Sequence, residues 1–330
     1  MPKQVVALIS APLYLLGEGQ RVPQMLGRMS ELPSVETHAV QTHLYVPGVG
    51  PVFLEDESLH ALESIKKKGE TFVFVAQPVA GIASLLDRVK SSNCRIFYDR
   101  FESWKDFPGN ESWYNQENEQ EILDLSDGFV STYEDELFSG SSLPTLLLKN
   151  AASDAPLWPQ RQFRGSLGKS VAEHSSVVYV GSMDRRYIDM DTLKAVGDAR
   201  PGAFYGAPPG MRILDDGMSP VRCGRNGWFV GWVEHKNLSY ALASGDLAYN
   251  NRRKVGLLPF LDIPLTKKVS PIKWWEYLLA GVRPISMNVE QVKGSFGIYA
   301  SNADEFLFHA STAAPFTDEE AEEASEWVKS

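Results

Sequence analysis

Residues 255–287 read VGLLPFLDIPLTKKVSPIKWWEYLLAGVRPISM. The apolar run Lys254–Phe260 predicts a buried strand, Pro271–Ala280 a helix, and Arg283–Met287 a second strand. Ser270 followed by Pro271 is a helix start, with serine as N-cap and proline at the first helical position. Gly281 fits the stop, as a glycine in the left-handed conformation just past the last turn. Within the helix, Ile272, Trp275 and Leu279 share one face at a spacing suited to burial, and Lys273 and Glu276, three apart, lie on a neighbouring face. Strand, helix and strand in this order make one unit of a parallel α/β sheet.

Lys273 is electrostatically out of place. The first turn of a helix is already positive, so a cation there is disfavoured by up to about 1 kcal/mol. Free backbone N–H groups at the same end attract anions. Two readings follow: a phosphate occupies the spot, or Lys273 pairs with Glu276 in solvent. The window Asn251–Lys273 also carries Arg252, Arg253, Lys254, Lys267, Lys268 and Lys273 against Asp262 alone. In a chain of net charge −10 this is a local cationic island, suited either to an anionic small ligand or to plain solvation. The same net charge argues against a nucleic-acid footprint.

Outward from this segment, short apolar runs alternate with amphipathic stretches. The first half predicts strands at Val5–Ser10, Thr71–Ala76, Arg95–Tyr98, Gly128–Ser131 and Thr145–Lys149, with helices at Val22–Glu31, Ser58–Lys68, Ile82–Ser91 and Asn115–Leu125. Residues 151–170, with Pro156, Pro159, Gly165 and Gly168, read as a linker. The alternation restarts with strands at Ser176–Val180, Gly202–Tyr205 and Gly227–Trp232 and a helix at Asp189–Ala199. Two such blocks predict two Rossmann-like domains, 1–160 and 161–330, facing across a central cleft, where ligands bind outside the carboxyl ends of the strands. The acidic C-terminal segment around Asp318–Glu326 reads as a solvated helix, one that could pack back toward the N-terminal domain. Cys94 and Cys223, far apart, fit a reducing cytoplasm, and no run reaches the roughly 18 apolar residues of a membrane span.

The segment 255–287 resembles the donor-binding region of bacterial GT-B glycosyltransferases, nearest the group-1 type of polysaccharide and glycoconjugate biosynthesis. Pro271, Lys273, Glu276, Tyr277, Gly281 and Pro284 carry the match. Val177–Gly202 is similar to the opening of the family's C-terminal domain, and Gly227–Leu242 to its base-contacting segment; Gln20–Glu31 and Phe97–Gly109 resemble N-terminal family segments more weakly. The resemblance implies a GT-B enzyme that transfers a sugar from a UDP-, GDP- or dTDP-linked donor to a saccharide, lipid-linked or small-molecule acceptor. It implies no cofactor and no metal. Glu276 would accept hydrogen bonds from the nucleotide ribose. Lys273 with nearby backbone amides would face the diphosphate, and Ser270, Pro271, Lys268 and Tyr277 would be further donor-binding residues. Gly181 would allow close backbone approach to an anion, Arg185 would reach a phosphate, and backbone groups near Gly231–Val233 would meet the base. Gly17, Glu18 and Gly19 would form the N-terminal cleft loop.

The chain departs from the family where many members hold the donor sugar with an acid eight residues before the ribose glutamate. That position is Lys268. It either pairs with a phosphate or an acidic donor sugar, or is an exposed loop lysine.

Residue chemistry narrows the mechanism further. The Asp189–Asp191 string sits at a helix start, where acids cap, and is rejected as a metal site. For an inverting reaction Asp99 is the first candidate general base, with Glu102 and Glu18 behind it. Alternatives are a GT-B nucleotide-sugar epimerase and a non-catalytic nucleotide-sugar-binding protein; a dinucleotide oxidoreductase lacks its glycine fingerprint. Trp104, Phe107, Trp113 and Lys66–Lys68 offer either a peripheral patch for the inner membrane face of a cytoplasmic protein, or core aromatics and a solvated helix end.

Overall fold

The computed structural model describes residues 2–9, 21–46, 50–107, 113–152, 171, 174–206, 220–231, 238–243 and 254–329. The chain divides into two compact units, Met1–Asn150 and Ala151–Ser330. The boundary expected at 160/161 lies outside the described residues.

In the first unit β1 (Lys3–Ile9), β2 (Val35–Gln41), β5 (Thr71–Val75), β6 (Cys94–Arg100), β7 (Gly128–Ser131) and β8 (Thr145–Leu147) form one sheet. Its order is β2-β1-β5-β6-β7-β8, with every pairing parallel. Helices α1 (Arg21–Ser30), α2 (Glu55–Lys66), α3 (Ile82–Val89), α4 (Gln116–Leu125) and α5 (Glu136–Ser139) lie between strands, as does a hairpin of β3 (His43–Val46) and β4 (Gly50–Phe53). The sequence reading missed β2 and the hairpin. Val35–Gln41 reads VETHAVQ, whose polar residues hide a strand paired to β1 along its whole length.

The second unit holds β9 (Val177–Val180), β10 (Gly202–Tyr205), β11 (Val221–Cys223), β12 (Gly227–Gly231), β13 (Val255–Pro259), β14 (Arg283–Met287) and β15 (Ile298–Ala300), in the order β11-β12-β10-β9-β13-β14-β15. All pairings are parallel except β11 with β12. Its helices are α6 (Met190–Ala199), α7 (Leu238–Ala243), α8 (Pro264–Lys268), α9 (Ile272–Leu279), α10 (Ala303–Thr312) and α11 (Asp318–Lys329). From β9 the chain winds outward through β10 and β12, then crosses to β13, β14 and β15. The order therefore reverses between β9 and β13, and such a switch point opens a crevice at the carboxyl ends of the two strands.

The core of this unit explains α9. Trp274, Tyr277 and Leu278, at i, i+3 and i+4, are the buried stripe, at 1%, 0% and 0% exposure. The expected face of Ile272, Trp275 and Leu279 is only half-buried. In IKWWEYLL apolar residues surround most of the helix, so spacing alone does not select the core side. The second face is covered by α11, which is therefore not a solvated helix: Ala324 is fully buried, and Trp327 packs on Trp275 with ring centroids 5.7 Å apart. Arg283 also pairs with Glu320 of α11 at 2.8 Å.

Lys254, just before β13, is 1% exposed and donates to the Ala241 carbonyl at 3.2 Å. Burial pushes its ammonium down to about 7. The unfolded chain thus takes up the proton first as pH falls, so this residue lowers stability progressively between about pH 10 and pH 7. Relative to a Lys254→Met variant, the native protein should gain about 3 kcal/mol from pH 7 to pH 10. Denaturant unfolding of both proteins at the two pH values measures this; a constant difference would refute it.

Among the described residues no helix is long and apolar enough to cross a membrane. Trp104 is 3% exposed, and Phe107 and Trp113 pack against the first unit's core, with Trp104–Trp113 centroids 5.6 Å apart. Lys66 is held by Glu63 and the Val89 carbonyl. The aromatics thus belong to the first unit's core and Lys66 is tied to its helix end, while Lys67 and Lys68 are exposed.

Candidate functional site

The carboxyl edge of the second sheet carries three glycines in register. Gly181 follows β9, Gly206 follows β10, and Gly231 ends β12, all with positive φ (151°, 150° and 96°). Gly181 N–H donates to Tyr205 O at 3.0 Å, and Gly206 N–H to Gly231 O at 2.8 Å. The approach is close: a Cβ on Gly206 would stand 2.1 Å from the Gly181 carbonyl oxygen. Together they bring three backbone segments into close contact beside the switch point, with Gly206 itself buried. Gly206 escaped the sequence reading, although its place directly after a strand, like that of Gly181, was the available signal.

Beyond Gly181 the loop is organised by Asp184, which accepts from Arg186 Nε and Nη2 at 3.0 and 2.6 Å. Arg185 is exposed and has no ion-pair partner among the described residues. Asp189 caps α6 by accepting from Thr192 N–H at 2.9 Å and its hydroxyl at 2.7 Å, so its carboxylate is spent on the helix start. The same loop is laced to the exit of β13: Asp189 N–H donates to Pro259 O and Leu261 N–H to Tyr187 O. Asn288, at φ 62° after β14, donates to Phe260 O at 2.8 Å. Both sides of the switch point are thereby fixed to one another.

Helix α9 runs from this carboxyl edge back to the start of β14. It begins one residue later than expected: Pro271 is the N-cap residue, and Ser270 lies before it, 1% exposed. The stop is as read, with Gly281 at φ 66°. Gly281 N–H donates to Leu278 O at 3.0 Å and Val282 N–H to Tyr277 O at 2.8 Å, the paired bonds of a Schellman ending.

Tyr277 is fully buried, and its hydroxyl accepts from Val180 N–H at 2.9 Å. It offers a ligand no surface, and instead ties α9 to the end of β9. Burial pushes its phenol far up, so it stays neutral. Lys273 and Glu276 do pair, with Nζ 2.7 Å from Oε2, but not in solvent: the Glu276 side chain is 2% exposed and that of Lys273 30%. Lys268 lies in the last turn of α8 rather than in a loop, half-buried, and its carbonyl accepts from Gln291 at 2.5 Å. The cationic island is likewise resolved into parts: Lys267 pairs with Asp262 at 2.8 Å and Lys254 is buried. Val233, Gly17, Glu18, Gly19 and residues 251–253 lie outside the described residues.

In the first unit Asp99 is buried against Arg21. Both carboxylate oxygens are engaged by Arg21, Nε at 2.9 Å and Nη2 at 2.8 Å, and the side chain is 2% exposed. Arg21 Nη1 also donates to Leu148 O at 3.0 Å and Asn150 Oδ1 at 3.3 Å, which makes Asp99 the anchor of a strand-end cluster. Glu102, two residues past β6, is half-buried by area, yet surrounded closely enough that burial pushes its carboxyl up to about 7.

No protein-family profile and no curated protein matches the chain. Solved structures do. A protein described as a UDP-N-acetylglucosamine 2-epimerase from Listeria monocytogenes aligns over 97% of this chain and 94% of its own, at 11% identity and a TM-score of 0.53. The S. aureus MnaA–UDP co-structure covers 97% and 94%, at 12% identity and a TM-score of 0.51. An E. coli structure described as trehalose-6-phosphate bound with UDP-2-fluoro glucose covers 99% and 95%, at 10% identity and a TM-score of 0.54. The chain has the GT-B fold. In GT-B terms β9–β15 form the C-terminal Rossmann-like sheet, and the three glycines, Arg185 and the first turn of α9 all lie at the carboxyl edge of its strands.

Proposed function

We propose that the protein is a glycosyltransferase that moves a sugar from a nucleotide-diphosphate sugar to a saccharide, lipid-linked or small-molecule acceptor. The observation that carries this reading is the convergence of three features on one edge of one sheet. Backbone of Gly181 and Gly231 is partly exposed at this edge, Arg185 supplies a cation with no ion-pair partner among the described residues, and the first turn of α9 adds N–H groups with Lys273 beside them. Such an edge suits a diphosphate, and charge building on a departing diphosphate can be met by these groups with no metal in the step. The neighbours solved with UDP or a UDP-sugar analogue support the same ligand class.

Glu276, pre-set by Lys273, would accept from the ribose. If transfer inverts the anomeric centre, Glu102, pushed up to about 7 by burial, suits the acceptor's proton, because a base works best with its pKa near the operating pH. The second reading, a nucleotide-sugar epimerase, is favoured by the Listeria neighbour and would convert the donor without an acceptor.

The test is thermal unfolding with UDP, GDP, dTDP and, as a control, NAD. At a hundredfold excess over Kd, a nucleotide that binds the folded state should stabilise it by about 2.7 kcal/mol. One diphosphate should raise the midpoint of the native protein and fail to raise that of Glu276→Gln. A shift with NAD alone, or with none of the four, would sink the proposal.

A further inference from the structure

Strands β9 and β13 stand side by side at the switch point, yet they pair only at their starts. Val177 faces Val255 and Val178 faces Gly256, and Val255 N–H donates to Ser176 O at 3.1 Å. Beyond these residues each strand stays paired with its outer neighbour alone. β9 follows β10 as far as Val180–Tyr205, and β13 follows β14 as far as Pro259–Met287. In a parallel ladder the bonds recur evenly, at every second residue of each strand. The rung due at the end of β9 would therefore run from Val180 N–H to Leu257 O, and the pairing stops where that rung is missing.

The Tyr277 hydroxyl occupies the missing rung. It accepts from Val180 N–H at 2.9 Å and donates its one proton to Leu257 O at a long 3.5 Å. Only a neutral phenol can do both, and burial keeps this one neutral. The ring reaches its place across Gly256, where a Cβ would stand 2.5 Å from Tyr277 Cδ2. Val180, Gly256, Leu257 and Tyr277 are all buried. The two strand groups thus depend on this hydroxyl, because buried backbone must be paired.

Spacing the strands by one hydroxyl leaves the edge of β13 open past Leu257. The loop after β9 takes that edge: Ile188 bridges to Phe260, and Asp189 N–H donates to Pro259 O at 2.8 Å. The same loop carries Gly181 and Arg185. A direct rung would draw the end of β9 toward β13 by up to about 3 Å, the length of one hydrogen bond. The loop would then lose the edge to which it returns.

We propose that Tyr277 is a positioning residue for the donor nucleotide: its hydroxyl, seated across Gly256, wedges β9 from β13 and so sets where Gly181 and Arg185 meet the diphosphate. The ligand in this inference rests on the nucleotide reading; the wedge does not.

Tyr277→Phe keeps the ring and removes the rung. Trp274→Phe is the comparator: it lies on the same buried face of α9, its indole nitrogen has no partner among the described residues, and it thins the core without touching the rung. The full chain and both variants are compared by hydrogen exchange and by titration with UDP, GDP and dTDP. The Val180 amide should exchange at least about tenfold faster in Tyr277→Phe than in Trp274→Phe. A nucleotide that binds the native protein should lose about tenfold in affinity in Tyr277→Phe and less than about twofold in Trp274→Phe. Equal Val180 exchange in the two variants would overturn the wedge, and an unchanged Kd in Tyr277→Phe would overturn the positioning role. If Tyr277→Phe does not fold, the native protein decides: the Val180 amide proton should show a nuclear Overhauser contact to the Tyr277 ring protons, and its absence overturns the rung. A native protein that binds none of the three nucleotides refutes the nucleotide reading, and Val180 exchange then decides on the wedge alone.

Discussion

Replacing Arg21 by methionine should destabilise the protein by about 3–5 kcal/mol. Asp99 is 2% exposed, and both its oxygens depend on that one guanidinium. Without it a carboxylate is left inside the fold with no counter-charge, and the penalty is the desolvation of that charge rather than the modest net worth of the pair. The double variant Arg21→Met with Asp99→Asn should recover most of the loss, because the stranded charge goes with its partner. Chemical denaturation of the native protein, the single and the double variant measures this. A single variant within 1 kcal/mol of native, or a double variant worse than the single, would show that the ion pair does not hold the strand ends together.

The second large effect belongs to Gly206. An alanine there must adopt φ near 150° with its Cβ 2.1 Å from the Gly181 carbonyl oxygen, a backbone atom that cannot swing aside. We expect Gly206→Ala to cost about 3 kcal/mol, from overpacking and backbone strain together. Over a unit of this size that lowers the midpoint by roughly 10 °C. It should also abolish the nucleotide-induced shift, since the Gly181 backbone at the end of β9 must move. Gly231→Ala is the control: its φ is 96°, but no atom of the described residues lies within 4 Å of the added carbon, so only about 1–2 kcal/mol of strain is expected. If the two variants behaved alike, the close approach at Gly206 would not matter.

How much of this could be read from the sequence depends on the range of the interaction. Strands at Gly128–Ser131, Gly202–Tyr205 and Arg283–Met287 were legible to the residue, because each is a compact apolar run bounded by polar or turn residues. The left-handed Gly281 and the capping role of Asp189 were legible for the same reason: both are settled within one helical turn. The pairing of Arg21 with Asp99 joins residues 78 apart in the chain, and no local pattern announces it. The buried face of α9 was misread because its apolar residues fall on both sides, and the side that spacing favoured is the one half-covered by α11, some forty residues downstream, whose acid-rich sequence read as a solvated helix. Tyr277 shows the limit of resemblance: its place in the segment was recognised, yet its contact is the Val180 amide.

The fastening of α9 has a kinetic consequence. Its start is buried, its middle is tied through Tyr277 to the end of β9, and its finish is locked by the paired bonds at Gly281 and Val282. A ligand arriving at its first turn therefore has nothing in the helix to put in order. Little conformational entropy is spent there, and rival nucleotides should reach the edge of the sheet at similar rates. Discrimination among them would then be written in how long each one stays.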